Sequence, residues 1–411
     1  MKKPIVEHIL EKIKEEKDKT GISRTLFAAC PNSISVIKAA LNSAKRCDSP
    51  IKFAVTLNQV DSDGGYTGMN QSEFVKIIHR EAEALDIKGP VIIALDHGGP
   101  WLKDRHRLEK LSYEETMRQV KQSMINSLKA GYDLLHVDPT VDIDLKHGEL
   151  INIETVANRT IELISFVEKY RRENSLPAIS YEVGTEEVHG GLADLKTFNR
   201  FLSLLKTGLK EAGYGDVWPC FIVGKVGTDL HTTIFDPDVA EALSKEAAKY
   251  GSVIKGHYSD NVVNPEAYPV SGMGGANVGP EFTENEYDGL MELTEIEEQL
   301  YQEDKVVIKS DFKNILWDAV IKSGRWKKWI LGDENANDFY SIGEQRKLWL
   351  IKTGCRYVWT KPEVEVARMK LYQNLENNGI KAEKIVLSRI EKSMDKYFYS
   401  FNLVGFNSLI K

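Results

Sequence analysis

The chain has 411 residues, of which 42% are hydrophobic and 28% charged, with a formal net charge of −7. This is ordinary globular composition, and its acids and bases are interleaved with no basic stripe, which argues against nucleic acid as a partner. The four scattered cysteines lack CxxC spacing, the charged N-terminus lacks the apolar core of a signal peptide, and no run approaches the roughly 20 apolar residues of a membrane span. The expectation is therefore a cytoplasmic protein with reduced thiols and no membrane partner.

Runs rich in Val, Ile, Leu and Ala predict strands at about 25–30, 51–58, 89–97, 133–140, 178–184, 220–227, 252–258 and 274–281. Segments of helical spacing separate them, such as "NSISVIKAALNSAKR" and "LADLKTFNRFLSLLKTGLKEAG". In "LSYEETM", Ser112 is placed to cap a helix, with Glu115 three residues on. Gly131 and Gly213 stand where helices end. Eight strand–helix units predict an α/β fold of the (β/α)8 TIM barrel type. The count of eight and the lack of a GxGxxG after the first strand disfavour a doubly wound sheet. Beyond residue 305 the strands stop, which predicts a barrel domain over 1–304 and a helical extension over 305–411 packed on it.

In such a barrel the catalytic face lies at the strand C-termini, and the unusual polar residues fall there. The second strand ends in Asn58 and Gln59, the third in Asp96 and His97, and the fourth in His136 and Asp138. The fifth carries Glu182 and runs into Glu186, Glu187 and His189. The sixth ends at Lys225, the seventh at His257 followed by Asp260, and the eighth at "NVGPE" with Gly279. Taken singly, each has a structural explanation: a hydrogen-bonded histidine, a capping aspartate, a buried His136–Asp138 pair. Taken together they predict a divalent metal site, Zn²⁺ or Mn²⁺, held by His97, His257 and a carboxylate of the fifth strand. Glu182, inside the strand, is better fixed for that role than Glu186 at the rim. Asp96, Asp138 and Asp260 become candidates for proton transfer, with Glu186 a further catalytic acid. Asn58, Gln59, His136, Lys225 and Gly279 are the candidate substrate contacts. There is no GxxxxGK[ST], so a nucleotide-phosphate cradle of that kind is absent. The glycines of "SGMGGANVGPEFTENE" offer free amides to a phosphate instead, with Lys225, Lys255 and Arg105 as charge partners.

The ordered motifs "NQVDSDGGYTGMNQSEF", "ALDHGGPW", "GYDLLHVDPT", "VGTEE", "GHYSDN" and "NVGPEFTENEYDGLMELTEIE" resemble the GatZ/KbaZ family. These are the non-catalytic subunits of tagatose-bisphosphate aldolase, once labelled tagatose 6-phosphate kinases. The resemblance implies a TIM barrel related to the class II, metal-dependent ketose-bisphosphate aldolases. It makes Asp96 similar to their proton donor, His97 and His257 to their metal ligands, and Glu182 to their strand-five carboxylate. Glu186 is the carboxylate of the "GTE" motif. Similar proteins include ketose-phosphate 4-epimerases. The expected function is thus a metal-dependent 4-epimerase of the tagatose/fructose 6-phosphate type, working through an enediolate or a retro-aldol step. The alternative is a stabilising subunit with no turnover. The expected partners are a sugar or sugar phosphate, with a homo-oligomer or a class II aldolase catalytic subunit. The chain departs from the family at "CPNSIS", at "VGKVGTDLH", and at its C-terminal "IVLSRIEKSMDKYFYSF".

Overall fold

Burial on both faces is what turns the short apolar runs into parallel strands. In the computed structural model, which describes residues 3–146, 149–184, 194–228 and 233–410, eight of them close into a barrel in sequence order. They are β1 (Leu26–Ala29), β2 (Ile51–Thr56), β3 (Val91–Gly98), β4 (Leu134–Val137), β5 (Ser180–Gly184), β6 (Phe221–Val223), β7 (Val253–Gly256) and β8 (Met273–Val278). All neighbouring pairs are parallel, and β8 returns to β1.

The helices of the barrel are α1 (Ile5–Thr20), α2 (Ile34–Cys47), α3 (Gln71–Ala84), α4 (Asp104–Leu108), α5 (Tyr113–Ala130) and α6 (Ile153–Glu173), then α7 (Leu195–Glu211), α8 (Pro237–Ala248), α9 (Ala267–Val270) and α10 (Pro280–Gln302). Their ends follow the sequence signals. Ser112 accepts the Glu115 amide at the start of α5, and Gly131 closes that helix in the left-handed conformation. A full capping box forms at Asn70 and Glu73 on α3.

Past residue 305 come α11 (Phe312–Ser323), a 3₁₀ turn (Arg325–Trp329), a second (Phe339–Ser341), α12 (Glu344–Gly354), a third 3₁₀ turn (Cys355–Tyr357), α13 (Pro362–Glu376), α14 (Ala382–Ser400) and α15 (Asn407–Ile410). This segment runs the height of the barrel. The first and third 3₁₀ turns reach the C-terminal mouth of the strands, whereas His8 of α1 contacts the Ile410 carbonyl. Between them α14 packs on α2 and α10. Tyr397 stacks on Phe27 of β1 at 5.6 Å, and Phe398 meets the same ring edge-on. Barrel and extension therefore share one hydrophobic core. No helix among the described residues is long and apolar enough to cross a membrane.

Candidate active site

Consecutive strand residues point to opposite faces, so Asp96 and His97 should not share a site. Both line the cleft at the barrel mouth. The reason is local. The β3–β4 register shifts between Leu95 and Gly98, and His97 takes a φ of +47°. A bulky residue in that region costs about 1–3 kcal/mol and persists only where its surroundings enforce it. Here the His97 amide donates to His136 Nδ1 (3.1 Å), and its ring Nδ1 lies 2.6 Å from Asp138 Oδ2. The glycines that follow permit the bend. A Cβ on Gly99 would lie 1.7 Å from the Asp138 carbonyl oxygen, and one on Gly98 2.7 Å from that of His136.

Three imidazoles, His97, His136 and His257, present ring nitrogens within 4.8 Å of one another, and Asp96, His136, Glu182 and His257 form an overlapping group. Asp96 accepts from Asn277 Nδ2 (3.1 Å) and lies 3.3 Å from His136 Nδ1 and 3.5 Å from His257 Nε2. Burial alone would raise its pKa, but His97, His257 and Lys255 outweigh that and hold the carboxyl well below its usual range. Glu182 is fully buried. Lys255 Nζ bonds both of its oxygens, at 2.6 and 2.7 Å, and His257 Nε2 lies 3.0 Å from Oε1. Against its desolvation, Lys255 and His136 push the Glu182 pKa down. The carboxylate expected as a metal ligand thus carries an ion pair on both oxygens and also belongs, with Asp96, His136 and His257, to one of the two groups that could hold a metal ion.

Of the other candidates, Asn58, Gln59, Asp260 and Gly279 line the cleft, whereas His136, Asp138 and Lys225 do not. His136 is buried beneath the cleft rather than lining it, because β4 turns its side chain into the barrel. Asp138 stands behind His97 and also accepts from Thr140 Oγ1 at 2.5 Å. Burial opposes its charge, but the bond to His97 prevails and brings its pKa to about 2. It orients the imidazole, as carboxylates behind ligating histidines do. Asp260 Oδ1 accepts the Gly279 and Glu281 amides, at 2.9 and 2.8 Å. These amides open α10, so the expected phosphate cradle after strand 8 is filled by the protein's own carboxylate, and the Gly279 amide is not available to substrate. Burial, with a contribution from nearby Glu281, lifts Asp260 to about 7. Asn58 holds the loop before α4 through the Leu102 carbonyl and the Asp104 amide. Gln59 is tied to the Thr56 amide and the Pro31 carbonyl. Lys225 is half-buried and does not line the cleft. Arg105 pairs with Glu109 at the surface. Glu186, Glu187 and His189 lie outside the described residues.

The sequence reading missed two groups. Lys52 of β2 is fully buried in the barrel with no hydrogen-bond partner for Nζ among the described residues, 4.7 Å from the Phe221 ring centre. Desolvation, helped by Lys255, lowers its pKa to about 7. The second group comes from the extension: Lys328, Trp329, Arg356 and Tyr357 form one wall of the cleft, whose volume is about 330 Å³. In-phase alternation with His257 would have flagged Lys255 as inward-facing. No local signal marks the extension residues.

With this geometry in hand, comparison with known proteins places it. The family model for D-tagatose-1,6-bisphosphate aldolase subunit GatZ/KbaZ-like proteins matches residues 10–398. The chain belongs to the GatZ/KbaZ-like family. Among solved structures, this GatZ/KbaZ-like chain is similar to a protein of Sinorhizobium meliloti 1021 described as a probable tagatose 6 phosphate kinase. That match has a TM-score of 0.74 at 21% identity, covering 92% of this chain and 100% of that one. The fructose-bisphosphate aldolase of Campylobacter jejuni follows with a TM-score of 0.55 at 13% identity, covering 97% and 95%. At such identities these likenesses speak for the fold. The buried His/Asp/Glu cluster of the GatZ/KbaZ-like barrel is one that could hold a metal ion.

Proposed function

We propose that the chain carries out aldol-type chemistry on a phosphorylated ketohexose, interconverting 4-epimers. The observation that carries this reading is the convergence of Asp96, His97, His136 and His257 at the barrel mouth, with Glu182 and Lys255 beneath them. The donor set of imidazoles and carboxylates suits a divalent ion. His97, His136 and His257 would hold that ion, with Asp96 or Glu182 close by. Bound there, it would supply Lewis-acid polarisation of the ketose carbonyl.

The chain's own groups supply the rest. Asp138 fixes the His97 ring. Asn277 and the surrounding cations keep Asp96 ionised, so it acts as a base first. It takes the proton of the 4-hydroxyl as the C3–C4 bond breaks into an aldehyde and an enediolate. After the aldehyde turns its other face, the bond re-forms and Asp96 returns the proton. Lys255 keeps Glu182 neutralised in the dry interior.

A second reading, a stabilising subunit beside a separate catalytic aldolase, is favoured by the description of the family as an aldolase subunit. One experiment separates the two. Protein loaded with Zn²⁺ or Mn²⁺ should convert fructose 6-phosphate to tagatose 6-phosphate unaided, lose this activity on chelation, and lose at least 10³-fold in His97→Ala. No conversion of any ketose phosphate, with stabilisation of an added class II aldolase, selects the subunit reading.

A further inference from the structure

Chemistry at a carbonyl needs the rest of the sugar to be held, and the amides expected to hold an anion belong to Asp260. Another part of the cleft is equipped for it. Arg356 is 7% exposed and lines the cleft. Among the described residues no carboxylate lies within ion-pair distance of its guanidinium, and its buried Nε has no hydrogen-bond partner. Arg356 hydrogen-bonds the Tyr357 phenol oxygen and feels Asp260 beyond ion-pair distance, and the ring centres of Trp329 and Tyr357 each lie 5.1 Å from the guanidinium carbon. A buried arginine is expected to be paired, and a planar guanidinium left open towards a cleft is the group best shaped to take an oxyanion in bidentate fashion.

Its surroundings add to this. Asp104, which joins the extension at the cleft, is shared by Arg107, Arg325 and Lys328, with Lys328 Nζ at 3.0 Å and Arg107 Nη2 at 3.1 Å. That part of the cleft therefore keeps a positive surplus in a chain whose net charge is −7. Arg107, Lys328 and Arg356 line the same cleft as Asp96, His97 and His257, so one small molecule can reach both ends.

We propose that Arg356, assisted by Lys328, binds the terminal oxyanion of the ketose substrate, and that the C-terminal extension thereby sets substrate class. This rests on the aldol-type reading for the other end of the molecule. The shared chemistry is a singly attached oxyanion, supplied either by a 6-phosphate or by the 6-carboxylate of a keto-uronate.

The test is calorimetric titration of the metal-loaded protein with tagatose 6-phosphate, with a keto-hexuronate and with neutral tagatose. At least one anionic sugar should bind tenfold or more tighter than tagatose, and which one identifies the oxyanion. Arg356→Met should remove at least tenfold of that preference while leaving tagatose binding unchanged. Arg356→Lys, which retains the charge in the event that Arg356→Met does not fold, should recover part of it, and Lys328→Met should lower it severalfold. Equal binding of anionic and neutral sugars, an unchanged preference in Arg356→Met, or no binding of any of the three overturns the proposal. Arg356-dependent binding without turnover leaves the subsite standing and removes the epimerase reading. Turnover indifferent to both Arg356 variants does the reverse.

Discussion

Glu182 and Lys255 show how charge is arranged under the site. Each is almost completely buried, and each is held charged chiefly by the other, with His136 adding to the effect on Glu182 and Asp96 to that on Lys255. Lys255→Met should cost about 3–5 kcal/mol, the penalty for stranding a buried carboxylate, and Glu182→Gln on top of it should return part of that loss. Chemical denaturation of the two variants measures it. Equal stability of Lys255→Met and the parent would mean that Glu182 takes up a proton at no cost. Asp138 makes a pH prediction. Its pKa falls from 3.8 to about 2 on folding, so its stabilising contribution is complete above pH 3.8 and is lost as pH falls towards 2. Asp138→Asn should flatten that part of the acid limb in a thermal-denaturation series from pH 5 to 2. That His97, Glu182 and His257 gather at one end of the barrel was legible, because strand ends in this fold share one face. That Asp96 and His97 face the same cleft was not, since a regular strand would part them and only a bulge with a positive φ joins them.

The end of β3 and the start of the following loop form the element on which the site depends. Gly98 and Gly99 follow His97 because the chain passes the β4 backbone too closely for a side chain. Gly99→Ala should therefore destabilise the protein by several kcal/mol and displace His97, whereas Gly332→Ala, with nothing within 4 Å of the added methyl, should be neutral. Comparing the two melting temperatures tests this; similar values would show that the β3–β4 contact yields easily. Two successive glycines after a strand would by themselves suggest only a turn. Their actual constraint is steric, and it is set by a strand about 40 residues further on. The same applies to Asp260. Its position after strand 7 suggested proton transfer; that the Gly279 and Glu281 amides at the start of α10 take up its Oδ1 is a contact no local pattern shows.

On the scale of the molecule, the extension completes the barrel. It lays Tyr397 and Phe398 against Phe27, ties Arg46 of α2 to Glu391 and Asp395 of α14, and closes the cleft with Lys328, Trp329, Arg356 and Tyr357. Removal of residues 305–411 should leave a chain that is insoluble or lacks a cooperative unfolding transition, because truncating buried aromatics costs about 3–5 kcal/mol each. Circular dichroism and a melting curve on the truncated chain check this. A cooperatively folded 304-residue barrel would show that the shared core is dispensable.

The amino-acid sequence by itself determined the eight strands, their order and the face on which polar residues gather. Those follow from local apolar runs and from the single way that parallel strand–helix units close. It could not determine which of those polar groups touch. The pairing of Lys255 with Glu182, the trio of His97, His136 and His257, the capture of the Gly279 amide by Asp260 and the arrival of Arg356 at the cleft each join residues far apart in the chain. Such contacts depend on barrel register, on one bulge and on the docking of the extension, all set by long-range packing that leaves no periodic trace in the sequence.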